Sequence, residues 1–143
     1  MDTPMPWSGV FSTPRDMAIF CQMFLNGGVY GDVRILSSPT VETMTRNQIP
    51  GIGTDYRGEL HKEAFWGYGW NVHGGDNWRN QPGTLMSAKS FRHSGAGGVL
   101  LWVDPVHGLV GIYFSVVTDL VNDAYWDSPV DLFANAVTAA VED

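Results

Sequence analysis

An α+β domain is what this sequence predicts: an antiparallel sheet, a helix packed on it near the C-terminus, and two helices ahead of it. Three observations carry that expectation. Apolar residues recur at helical spacing in residues 14–26 and again after Pro129. Two apolar runs, Val99–Val103 and Leu109–Val116, flank Asp104-Pro105-Val106-His107-Gly108. That joint has turn chemistry, because Pro presets φ and Gly permits φ > 0, so the two runs read as a hairpin. Finally, 143 residues that are 44% hydrophobic and 13% aromatic are enough for one ordinary domain with a sizeable core.

The first helix is expected from about Pro14 to Asn26. Thr13 is suited to cap it, Pro14 to occupy the first helical position, and Asp16 to place a carboxylate in the first turn. Met17, Phe20, Cys21, Phe24 and Leu25 share one face, and Gly27-Gly28 ends the helix. Cys21 lies in that stripe and reads as core rather than as a nucleophile. A second helix begins after Ser38-Pro39, carries Val41 and Met44 inward and fades near Asn47. Residues 65–72 alternate aromatics with glycine, which reads as a strand approached closely by other backbone. Ser90–Ser94 is a short strand closing on Gly95-Ala96-Gly97-Gly98, and the hairpin follows. The third helix is expected after Ser128-Pro129, with Val130, Phe133, Ala134, Val137 and Val141 on one face. Residues 48–64 and 74–88 are long connections with little periodicity. Near-continuous apolar strands imply a sheet buried on both faces. The terminal helix covers one, so the early helices, or chain not included here, must cover the other.

Charge and cysteine usage exclude several functions. The net charge is -7, and all of it resides in residues 93–143, which hold seven acids and no Lys or Arg. No basic stripe exists, so a nucleic-acid partner is not expected. The single cysteine rules out an internal disulfide framework without fixing the compartment, which stays open between periplasmic or secreted and cytoplasmic. No apolar run approaches the roughly 20 residues of a membrane span, and residues 1–8 lack the basic start of a signal peptide. No metal-ligand spacing is present, and no metal or cofactor is expected. His107 sits in the hairpin turn and reads as solvated.

Nucleophile motifs are absent. No serine has the flanking glycines of a nucleophile elbow. The residues three before Lys62 and Lys89 are Glu59 and Met86, so Ser-x-x-Lys does not occur, and neither does Tyr-x-Asn nor Ser-x-Asn. The stretch that draws attention is Arg92-His93-Ser94-Gly95-Ala96-Gly97-Gly98. A strand edge that runs from basic residues through a hydroxyl to glycines offers donors to an acyl substrate and lets backbone approach it closely.

Taken in order, residues 9–16 with their helix, Asn26-Gly27-Gly28, Leu36-Ser37, Trp66-Gly67-Tyr68-Gly69-Trp70 and His93–Gly98 leading to Trp102-Val103-Asp104-Pro105 resemble the serine beta-lactamase-like hydrolases. That family includes class C beta-lactamases, carboxylesterases and D-alanyl-D-alanine peptidases. The resemblance covers about Ser8 to Val141 and corresponds to the family's C-terminal portion, so residues 1–143 read as the C-terminal part of one beta-lactamase/transpeptidase-like domain whose nucleophile-bearing part lies elsewhere. It implies that His93-Ser94-Gly95 is the family's third motif. His93 and Ser94 would contact a substrate carboxylate or assist proton transfer, Gly95 would leave room for the acyl group, and the backbone N–H of Ala96 would be one of two oxyanion donors. The implied reaction is acyl transfer from a small-molecule ester or amide, a β-lactam, D-Ala peptide or carboxylester, through an acyl-enzyme. With no Ser-x-x-Lys, the isolated chain is expected to be inactive and to expose apolar surface. A non-catalytic binding module derived from the same fold is the alternative. A self-sufficient Ser94 activated by His93 is disfavoured, because adjacent strand residues point to opposite faces.

Overall fold

The computed structural model describes residues 9–56, 58–72, 83–95, 98–116 and 124–142. Helix α1 spans Pro14–Leu25, with Pro14 at its start. The Thr13 hydroxyl oxygen accepts the Asp16 amide at 3.1 Å and its hydroxyl hydrogen is donated to the Asp16 carboxylate at 2.9 Å. At the other end the Gly28 amide donates to the Met23 carbonyl (2.8 Å) and the Gly27 amide to that of Phe24 (3.0 Å). Gly27 has φ +63°, the left-handed residue this crossed pair of bonds requires. A two-residue hairpin follows, β1 (Val29–Tyr30) and β2 (Val33–Arg34). Helix α2 is Ser38–Met44, so Ser37 rather than Ser38 is its cap, with the Ser37 hydroxyl accepting the Thr40 amide at 3.2 Å.

The main sheet has four antiparallel strands in the order β5 (Asn71–Val72), β6 (Phe91–Gly95), β7 (Val99–Asp104) and β8 (Leu109–Tyr113). The hairpin expected around residues 104–108 is β7–β8, in the register Asp104↔Leu109 to Leu100↔Tyr113. Helix α3 spans Ala124–Ala139. Alternation along β7 divides the core. Leu101 and Val103 face α1 and pack with Cys21, Phe24, Trp70 and Phe91. Leu100 and Trp102 face the other way and pack with Val130 and Ala134 of α3. α1 lies over β7 and β8 while α3 contacts β8, so one early helix supplies the second cover the apolar strands demand. Burial pushes the Cys21 thiol up to about 12, which makes it inert core. A Cβ at Gly111 on β8 would overlap the Trp102 ring, so close packing dictates glycine there.

Local structure departs from the sequence expectation in four places. Residues 48–64 contain a hairpin, β3 (Thr54–Tyr56) with β4 (Glu59–His61), where no periodicity marks one. The aromatic-glycine segment is a strand only at Asn71–Val72, joined to Trp66 by an isolated Trp66↔Asn71 bridge. α3 starts five residues before Pro129 and accommodates the proline inside. Standing sixth in the helix, the proline cannot donate to the carbonyl four residues earlier, so one intrahelical bond is given up there. Phe20 is 42% exposed, so the buried stripe of α1 is rotated to take in Met23. No helix among the described residues is long and apolar enough to cross a membrane.

Candidate active-site wall

The His93-Ser94-Gly95 motif occupies the last three residues of β6. β7 pairs along its whole length, His93 opposite Leu101, Ser94 opposite Leu100 and Gly95 opposite Val99. On the other side β5 pairs only with Phe91 and Arg92, so in the described residues this edge is open from His93 onward. The two motif side chains diverge. His93 shares a row with Leu101, whose face is that of α1, and Ser94 with Leu100, whose face is that of α3. Proton transfer between His93 and Ser94 within this chain is therefore geometrically unfavourable, as strand alternation requires.

Gly95 ends β6, and its carbonyl accepts the Gly98 amide at 3.1 Å, so a tight turn leads into β7. The Ser115 amide and hydroxyl both donate to the Gly98 carbonyl, at 3.2 and 2.7 Å, fixing the far side of that turn. A Cβ at Gly95 would reach only ordinary contact with Val99, at 3.6 Å, so packing within this chain does not dictate glycine there. Ala96, named above for its backbone N–H, lies outside the described residues, as does Gly97.

Trp66 and Arg92 both stand in stretches the sequence singled out, but sequence reasoning missed the contacts they make. Trp66 meets the His93 imidazole edge-on, with ring centroids 6.0 Å apart and planes at 69°. Spacing holds no trace of this pairing across 26 intervening positions; the alternating aromatics and glycines of residues 65–72 are the nearest sequence signal. Arg92, one residue before His93, is buried and donates from Nη2 to the Asn71 side-chain oxygen at 3.2 Å, tying β6 to β5.

At the opposite end of the ladder, Asp104 is fully buried. It accepts the Ser87 amide (2.7 Å), the Ser87 hydroxyl (2.6 Å), and the amides of Val106 (3.1 Å) and His107 (3.3 Å). His107 Nδ1 lies 2.8 Å from its second oxygen. His107 is exposed, as expected of a turn residue, and its ring is also bound to a carboxylate, because the turn between β7 and β8 folds it back onto the strand end. Burial pushes the Asp104 carboxyl up, but the bonds from Ser87 and His107 outweigh it and hold the group below the usual carboxylate range. Serine, aspartate and histidine meet here, yet Ser87 gives its hydroxyl proton to Asp104 and both partners bond that same carboxylate. The serine has no base in this arrangement, which makes the cluster a structural clamp. Among the described residues no group of three or more His, Cys, Asp or Glu is placed to hold a metal ion.

A family model described as Beta-lactamase matches residues 1–135. A protein from Escherichia coli O157:H7 provisionally named a D-alanyl-D-alanine carboxypeptidase is 32% identical over 108 residues, 76% of this chain and 22% of its own length. One of the same provisional name from Salmonella typhi is 34% identical over 100 residues, 70% of this chain and 20% of its own. This chain therefore spans about a fifth of those relatives. Among solved structures, a beta-lactamase from Mycobacterium bovis aligns at TM-score 0.63 and 24% identity, over 89% of this chain and 44% of that one. Another, from Bacteroides dorei and provisionally named a beta-lactamase, aligns at TM-score 0.61 and 20% identity, over 88% and 38%. The glycine-rich turn after His93-Ser94, the hairpin behind it and the helix packed on its outer face thus sit in a fold shared with these solved proteins, and with a family model matched over most of its length this chain belongs to the beta-lactamase family.

Proposed function

We propose that this chain forms one wall of the active site of a longer serine hydrolase, with the nucleophile on a part of the protein not included in these 143 residues. The observation that carries the reading is the His93-Ser94-Gly95 strand end, open along one edge and followed by a tight glycine turn, in a chain that lacks Ser-x-x-Lys. In the proposed reaction a serine oxygen supplied by the rest of the protein attacks the substrate carbonyl, the leaving group departs with a proton, and water releases the acyl-enzyme. His93 and Ser94 contact the substrate carboxylate or assist proton transfer. Gly95 leaves room for the acyl group, and the Ala96 N–H supplies one of two donors to the oxyanion. The provisional names of the curated relatives favour a peptide ending in D-alanyl-D-alanine over a β-lactam or a carboxylester as the substrate.

Apolar side chains at the surface support a chain with further protein to pack against. Val116 beyond β8 is 89% exposed and Leu132 on α3 is 66% exposed. The test is intact mass after exposure to a fluorophosphonate probe. The expected result is no adduct on this chain. An adduct that disappears in Ser94→Ala would overturn the wall reading and make the chain a self-sufficient enzyme.

A further inference from the structure

We propose that Trp66 is the positioning residue for His93: its indole holds the imidazole in one orientation at the open edge of β6. The inference rests on the active-site-wall reading for its functional meaning, but its geometry stands alone. His93 is exposed, and among the described residues the ring contact its imidazole makes is with Trp66, at 6.0 Å, which orients it.

An aromatic ring can orient a neighbour only if its own backbone is fixed, and that of Trp66 is fixed from both sides. Phe65 before it has φ +53°, the only non-glycine positive φ among the described residues. A bulky side chain remains in that region only where its surroundings hold it there. Here the Phe65 carbonyl accepts both the Val72 amide (3.0 Å) and the Asn71 side-chain amide (3.3 Å). Asn71 in turn accepts Arg92, the residue next to His93, so β5, to which Trp66 is bridged, is cross-tied to β6, which carries His93. The Trp66 carbonyl itself accepts the Gln48 amide at 2.7 Å. After it, the Tyr68 amide donates to the Met44 carbonyl at the end of α2 (2.9 Å), and a Cβ on Gly67 would overlap that carbonyl. Trp66 is therefore pinned to β5, to the 47–49 segment and to the end of α2. Three elements converge to place one indole, and the group it reaches is the exposed histidine of the motif. A role in the core does not account for this arrangement, because the buried aromatic cluster is built by Trp70, Phe24 and Phe91 instead.

The test uses the 143-residue chain and NMR of its histidine rings. In the wild type the His93 ring protons are displaced by the Trp66 ring current. Trp66→Leu should abolish that displacement, and Trp66→Phe, which keeps an aromatic ring, should retain part of it. The β6 amide signals and the thermal midpoint should stay close to wild type in Trp66→Phe. His93 ring signals that are identical in wild type and Trp66→Leu would overturn the proposal. So would a Trp66→Phe variant that shifts the β6 amides as much as Trp66→Leu does, since the contact would then be general packing. The wall reading has its own test in the fluorophosphonate experiment, so the two fail separately: a serine adduct on this chain overturns the wall reading and leaves the ring-current result standing, whereas an absent ring-current effect overturns the positioning role and leaves the wall reading standing.

Discussion

The two ends of the β6–β7 ladder each carry a histidine, and they are held by opposite means. At the Asp104 end, His107 bonds a buried carboxylate that accepts four further hydrogen bonds from Ser87, Val106 and His107 itself. At the Gly95 end, His93 is exposed, meets an aromatic edge rather than a charge, and borders an open strand edge. A buried carboxylate with every oxygen engaged locks a turn and leaves nothing over for a ligand. The His93 imidazole is exposed, and its ring contact among the described residues is to Trp66. The first end is built for stability, and the second is the end where the proposed active-site wall lies.

Removing the carboxylate tests the first half of that contrast. Asp104→Ala removes a buried carboxylate and leaves the half-buried donors of Ser87 without their acceptor, and should lower the unfolding free energy by about 3 kcal/mol, read from urea denaturation. Acid should reach the same end next. Because the Asp104 carboxyl is held below its ordinary value, its contribution is fully present above the unfolded carboxylate pKa of about 3.9 and is lost as pH falls through the lower folded value. Thermal midpoints measured from neutral pH downward should show an acid limb that is shallower in Asp104→Asn. Ser87→Ala removes the 2.6 Å hydroxyl bond to Asp104 and the longer bond that the hydroxyl oxygen accepts from the exposed Lys89 amide (3.3 Å), but keeps the Ser87 amide bond, so a loss of about 1 kcal/mol is expected in the same urea assay. The smallest effect on stability belongs to the other end. His93→Ala should change the unfolding free energy by no more than about 0.5 kcal/mol. In the longer protein it should nonetheless slow acylation by about 10²-fold in single-turnover kinetics. A destabilised His93→Ala chain would erase the contrast.

Legibility followed the range of the interactions. The start of α1 was readable because Thr13, Pro14 and Asp16 are neighbours and their bonds close within one turn. The β7–β8 hairpin was readable because its turn residues lie inside five consecutive positions. The hairpin β3–β4 was not, since its three-residue strands carry no alternation to detect. Pro129 misled about α3 because a cap-and-proline start and a proline just past the first turn look alike in sequence. At the candidate site, the motif itself was found from residue types in series. Its partner Trp66 was invisible, because only the fold of residues 44–72 carries the indole to β6. The exposure of His107 was legible, but its bond to Asp104 was not, for the same reason: only the turn's bend over the strand end brings the ring to the carboxylate.

By itself the sequence determined the α+β class, the order of the three helices, the hairpin, the family and the absence of a Ser-x-x-Lys motif, because each rests on residues close together in the chain or on counting. The tertiary structure alone decided which helix covers which face of the sheet, that Asp104 gathers Ser87 and His107, and that Trp66 meets His93. Those outcomes depend on strand register and on close contacts between distant segments. Packing energies small per contact and large in sum choose among them, and no local pattern encodes that sum.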